Sequence, residues 1–186
     1  MAVDPSKVRV AITGAISKGE TSATAPTGTA SALTGFVDLG GISEDGVTLA
    51  LNDEGDSTPI KIWQNGATVR TLRSESEDLP SIQFVMVETS LATIETYFNV
   101  TVTQTATEGS FEYKTKARGH SAYILDVIDG ADLERDYIPK GIVTAVEEIT
   151  LANTEAIGYG VTIEMENGGA GKDYNFKSWR TALKSA

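Results

Sequence analysis

Thr89-Ser90-Leu91-Ala92-Thr93-Ile94-Glu95-Thr96-Tyr97-Phe98 is the one stretch of this chain that reads as a helix. Thr89 or Ser90 supplies an N-cap hydroxyl, and the spacing places Leu91, Ile94, Tyr97 and Phe98 on one face. A helix ending near Phe98 is too short to hold itself, so its apolar stripe needs a sheet to cover. The segments on both sides supply that sheet. Toward the C-terminus, 99–107 is a Thr-rich strand or linker, and strands are expected over 110–117, 120–129 and 132–150. Pro139-Lys140-Gly141 is expected to break the last of these, and Thr154 to Glu166 is a final long strand.

Toward the N-terminus, strands are expected at 81–88 and 68–77, punctuated by Pro80. Residues 52–66 read as a long loop that opens on Asn52-Asp53-Glu54-Gly55-Asp56, ends on the tight-turn pair Asn65-Gly66, and contains the hydrophobic Ile60-Lys61-Ile62-Trp63. Val47 to Leu51 and Phe36 to Leu39 are short strands closed by glycine turns. Residues 16–35 are small and polar, carry Pro26, and read as a surface loop. Val8 to Thr13 alternates apolar and polar, as a half-buried strand does. The fold class is therefore mainly β: an antiparallel sandwich or open barrel with one flanking helix. Residues 1–166 make the β domain. Residues 167–186 make a Gly-rich hinge and an arm whose Tyr174, Phe176 and Trp179 are too apolar to stand in solvent, so the arm docks on its own domain or on a neighbour.

The totals narrow the function. At 186 residues the chain can bury one real core, and no apolar run approaches the roughly 20 residues of a membrane-spanning helix. Met1 to Lys7 lacks the basic-then-apolar order of a secretory signal. The absence of cysteine removes disulfides and thiolate metal sites and fits a reducing cytoplasm. The net charge of −11, from 26 acidic and 15 basic side chains, is opposite to what gripping nucleic acid by its phosphates requires. The acidity serves solubility, or it lines a surface past which DNA moves without sticking.

Motifs for catalysis fail one by one. His120 is the only histidine, so zinc sites of the usual composition cannot be built, and no Gly-x-Ser-x-Gly elbow supports a triad. Gly169-Ala170-Gly171-Lys172 mimics a phosphate loop, but Glu166 and Asp173 stand where a glycine and a hydroxyl are needed. Asn52 to Asp56 lacks the alternating spacing of a calcium loop. Glu75 and Glu77 share a strand face, which is a carboxylate pair for sugar chemistry or simply a solvated sheet face. The sequon Asn99-Val100-Thr101 has no meaning without a secretory route. No cofactor, no metal and no enzymatic activity is expected.

Several stretches together resemble the major tail tube proteins of siphophages, particularly those infecting actinobacteria. They are Val8 to Gly14, Gly35 to Gly40, Ile42 to Thr48, Ile62 to Gly66, Phe84 to Thr89, Asp136 to Gly141 and Glu155 to Ile163. They span about residues 8 to 165, and the arm after Gly168 adds little to the likeness. The resemblance implies two packed antiparallel sheets and a helix, with hexameric rings whose inner sheets complete one β-barrel, stacked into a tube in the virion tail. It implies a tape measure protein and tail terminator and initiator proteins as partners, genomic DNA passing without specific binding, no membrane, and assembly in the host cytoplasm. The 52–66 loop, with Asp53, Glu54, Ile60, Ile62 and Trp63, resembles the family's long loop that reaches the adjacent ring. The Tyr174/Phe176/Trp179 arm is placed to clamp a neighbouring subunit, and Glu75, Glu77, Glu147 and Glu148 are candidate lumen acids. The competing readings are a head–tail connector, a capsid decoration protein or a carbohydrate-binding β-sandwich.

Overall fold

The computed structural model describes residue 4 and residues 7–52, 55, 57–74 and 78–184. In chain order these form β1 (Thr13–Gly19), β2 (Phe36–Asp38), β3 (Ile42–Ala50), β4 (Ser57–Lys61), β5 (Thr68–Arg73), β6 (Ser81–Met86) and α1 (Leu91–Phe98). Then follow β7 (Thr103–Gln104), β8 (Gly109–Ser110), β9 (Ser121–Asp129), β10 (Asp132–Val146), β11 (Tyr159–Glu166) and β12 (Lys177–Arg180). The strands pair antiparallel throughout.

The main sheet runs β2-β1-β9-β10-β11-β6-β3, and β12 also pairs with β10. One long strand joins its two halves. The first part of β10, Glu134 to Tyr137, lies between β9 and β12, while Lys140 to Val146 lies against β11. The sheet therefore turns on β10 and folds over itself as a sandwich, with the change of sheet made by a bend in one strand. Pro139-Lys140-Gly141 sits at that bend without breaking the strand, contrary to the expectation from sequence. Pairing with β9 lapses between Ile138 and Gly141, so the missing proline N–H is absent only where no ladder bond is required. Gly141 is needed for a second reason: a Cβ there would stand 2.8 Å from the Tyr123 ring and 2.9 Å from Ile163.

Ile16, Tyr123 and Ile138 from one half meet Phe84, Val161 and Ile163 from the other in one continuous core. The ends of the sheet do not close on each other, so the sandwich is open between β1 and β3. The strand expected over Val8 to Thr13 begins only at Thr13. Val8, Val10 and Ile12 are exposed, and the paired strand runs on to Gly19, inside what reads as a loop. Local alternation loses here to the partner strand: β9 sets Ile16 opposite Leu125, and that register buries Ile16 completely. The expected 110–117 strand shrinks to the β7–β8 hairpin, and the last long strand starts at Tyr159 rather than Thr154.

Helix α1 starts and stops where expected. The Ser90 hydroxyl accepts from the Thr93 N–H at 3.2 Å, and Asn99 ends the helix in the left-handed region. Its docking face differs from the expected stripe. Leu91 is exposed, while Thr93, Thr96 and Tyr97 are buried and Ile94 and Phe98 are half-buried against the core. Hydroxyls explain the shift. Thr93 donates to the Leu39 carbonyl at 2.9 Å, and Lys18 donates to Thr96 Oγ1 at 3.2 Å, so the two threonines are satisfied inside.

Candidate assembly surfaces

The 52–66 segment is only partly a loop. From Ser57 its chain pairs with Thr68–Arg73 in a separate two-stranded hairpin, Ser57 opposite Arg73 and Ile60 opposite Arg70. Its turn is closed by the Ile62 N–H to the Ala67 carbonyl at 3.0 Å, with Gly66 at positive φ. Every residue of both strands is exposed. Ile60 is the penultimate residue of β4, Ile62 follows the strand, and Trp63 lies in the turn with 97% of its surface in solvent. The three apolar side chains thus lie toward the far end of the hairpin. Asp53 and Glu54 lie outside the described residues. Alternation puts Ile60, Arg70 and Leu72 on one face of this hairpin. From Ser57 to Arg73 the chain carries Lys61, Arg70 and Arg73 and no acid, in a protein of net charge −11.

The open side of the sandwich forms a groove of about 600 Å³ between the start of β1 and β3. Ile12, Val47 and Leu49 give it an apolar lining, and Glu44, Glu134 and Asp136 give it charge. Both flanking strands have unpaired edges there among the described residues: β3 ends the sheet, and β2 covers β1 only at Ser17 to Gly19. Glu134 is ion-paired with Arg180. Asp136 is 5% exposed, and its Oδ1 has no hydrogen-bond partner among the described residues. Burial pushes its carboxyl above the usual carboxylate range, while the Ser178 hydroxyl and Arg180 pull the other way.

The outer face of the β1–β9–β10 half carries a second, smaller core. Ala122, Ile124 and Tyr137 are covered there by Ala25, Leu33 and Phe36 from the first third of the chain and by Tyr174 and Trp179 from the last. Phe176 packs on the main core instead. The arm is therefore seated on its own domain, with β12 pairing β10 so that Trp179 stands opposite Arg135. Arg135 ties the long 20–35 segment down. Its Nε and Nη2 donate to the two oxygens of Asp126 at 2.6 and 2.7 Å, and its Nη1 donates to the carbonyls of Ser31 at 2.7 Å and Gly28 at 3.3 Å. Sequence reading missed this clamp, because it joins residues 104 positions apart.

Glu147 and Glu148 are exposed just beyond the end of β10. The Glu147 carboxylate accepts from Gln83 Nε2 at 2.7 Å and lies over Gly160, while its backbone carbonyl accepts from the Tyr97 hydroxyl. One of the four candidate lumen acids is thus held against the outer face of β6 and β11. Glu75 and Glu77 lie outside the described residues. The lone His120 is 3.0 Å from Glu166, which also accepts from Lys140 at 2.5 Å, and these bonds, Lys140 foremost, hold the Glu166 carboxyl below its ordinary range. Among the described residues no group of three or more His, Asp or Glu side chains is gathered as a metal ion would need. The arrangement offers surfaces for contact, and none of these side chains is set up as a nucleophile with its base.

A family model described as phage tail tube protein matches residues 1–179. No curated protein matches the chain. The family match reaches into β12 as far as Trp179, beyond the 8–165 span in which the sequence likeness is recognisable.

Proposed function

The chain belongs to the phage tail tube protein family, and from that we propose that it is the major tail tube subunit of a siphophage, forming hexameric rings that stack into a tube conducting the genome to the host. Membership gives a structural role in a virion tail, in company with other tail proteins. The hexamer, the stacking, the passage of DNA, and tape measure, terminator and initiator proteins as partners are the finer reading. The observation that carries it is the fully exposed β4–β5 hairpin. A two-stranded hairpin is marginal in water by itself. Five large exposed apolar side chains on one that stands apart from the main sheet (Ile60, Ile62, Trp63, Val69 and Leu72) call for a partner surface.

In this reading residues 1–166 form the body of the ring and 167–186 an arm. The hairpin with Ile60, Ile62 and Trp63, preceded by Asp53 and Glu54, reaches the adjacent ring. Tyr174, Phe176 and Trp179 brace the face against which the next subunit in the ring packs. Glu147 and Glu148, with Glu75 and Glu77, present carboxylates to the lumen, where like charge keeps DNA from adhering. Electron microscopy of the purified protein over a range of concentrations tests this. Stacked six-fold rings with a central channel are expected, and a protein that stays monomeric at high concentration with and without a tail initiator would overturn it.

A further inference from the structure

The β1–β3 groove has the inverse character of the hairpin. Among the described residues no Lys or Arg lines it, four acidic residues do (Glu44, Asp126, Glu134 and Asp136), and Ile12, Val47 and Leu49 supply apolar walls. Asp126 is committed to Arg135 and Glu134 to Arg180. Asp136 is the exception: it is buried, and one oxygen has nothing to accept from among the described residues. A buried acceptor without a donor is costly unless something arrives to satisfy it. The hairpin face that carries Arg70 between Ile60 and Leu72 presents one fixed fork of donors flanked by branched apolar side chains. A volume of about 600 Å³ admits a few such side chains rather than a whole hairpin. A metal ion is a poorer fit, because no third ligand is gathered with Asp136 and Glu134 among the described residues.

We propose that the β4–β5 hairpin of one copy docks along the β1–β3 groove of a second copy, with Arg70 donating to the unpartnered oxygen of Asp136. The proposal rests on the reading that copies of this chain stack through the hairpin, and it names the surface that receives it. Burial of the pair gives the contact its register, and the apolar flanks exclude water around it. Removing one partner of such a pair costs association far more than removing a rim charge, so the Asp136→Asn and Arg70→Gln chains should each need at least about thirtyfold higher concentration to associate.

The chain has no cysteine, which allows a direct test with full-length protein. Thr58→Cys, opposite Leu72, places a thiol on the Arg70 face of the hairpin, Ser43→Cys places one on the groove rim, and Thr107→Cys in the β7–β8 turn serves as a remote control. Equimolar mixtures are oxidised at high protein concentration, and linked pairs are identified by mass spectrometry. The Thr58→Cys chain should link to the Ser43→Cys chain well above the control, and adding Asp136→Asn to the latter should suppress the link without lowering its melting temperature. Linking through the hairpin to the control as readily as to the rim, or a link indifferent to Asp136→Asn, would overturn the groove as receptor while leaving hairpin-mediated stacking in place. No hairpin link at any concentration would overturn both.

Discussion

Replacing Arg135 with alanine tests whether the second core is held by its clamp. The guanidinium makes two charge-assisted bonds to Asp126 and two to the carbonyls of the 20–35 segment, with a side chain only 10% exposed. Breaking a buried pair from one side costs roughly 3–5 kcal/mol, because the other charge is left behind. Asp126 keeps 23% of its side chain in solvent and recovers part of its hydration, which puts the expectation near the lower end, about 3–4 kcal/mol. For a chain of this size that is a fall in Tm of about 6–16 °C. Arg135→Lys keeps the charge but not the fork and should lose about half as much. Arg135→Met with Asp126→Leu removes both charges and should recover most of the loss. Urea unfolding at neutral pH gives the energies, and hydrogen exchange reports the segment, with amides near Ser31 losing protection first. A cost below about 1 kcal/mol for Arg135→Ala, or a double variant no better than the single, would refute the argument that this pair is the anchor.

The other expectations are smaller. Ser90→Ala removes the helix cap and should cost about 1 kcal/mol in chemical denaturation. Trp63→Ala should leave the stability of the monomer within about 0.5 kcal/mol and lower the sedimenting polymer fraction. Asp136→Asn and Glu166→Gln should show opposite pH dependences in thermal unfolding. Burial raises the folded Asp136 carboxyl, so the unfolded chain ionises first and the native carboxylate destabilises the fold once pH exceeds the ordinary carboxylate range. Asp136→Asn should therefore stabilise the monomer by about 1 kcal/mol at neutral pH, and the gain should vanish in acid. The Glu166 carboxyl is lowered by Lys140 and His120, so its contribution is present above the ordinary glutamate range and lost as pH falls through the depressed value. Glu166→Gln should cost less than about 1 kcal/mol at neutral pH and nothing in strong acid.

What the sequence revealed was what short range determines. Ser90 and Asn99 bound the helix through bonds and torsions of their own neighbourhood, so both ends of α1 were legible. The alternation of Ile82, Phe84 and Met86 is imposed by one buried face and could be read directly. Ile16 was lost in a polar, glycine-flanked stretch because only its distant partner β9 makes it core. Pro139 was read as a break because its effect depends on whether β9 is still bonded there. β4 reads as loop because exposure on both faces erases alternation, while β5 falls inside the strand expected at 68–77 and Asn65-Gly66 marks the turn between them. Of the site residues, Trp63 and the arm aromatics stood out as apolar groups in polar surroundings. Asp136 did not, since a buried acid looks like any other until the strands on either side are placed.

The long-range pairing of β1 sets an order of events during synthesis. Thr13 leaves the ribosome early but pairs opposite Ile128, and Gly28 waits for Arg135, 107 positions later. At roughly 5–20 residues added per second, the first strand has only the short β2 to pair with for about 5–20 seconds before β9 emerges. The β4–β5 hairpin needs only its own residues and closes soon after Arg73 is out. The side of the sheet formed by β1 and β10 exists only when translation is nearly over. An unfinished chain therefore displays its projection well before it has completed the fold around β10, and two nascent chains on one messenger cannot engage each other reciprocally. Under the proposed docking of hairpin into groove, completion of the polypeptide is itself the licence to self-associate.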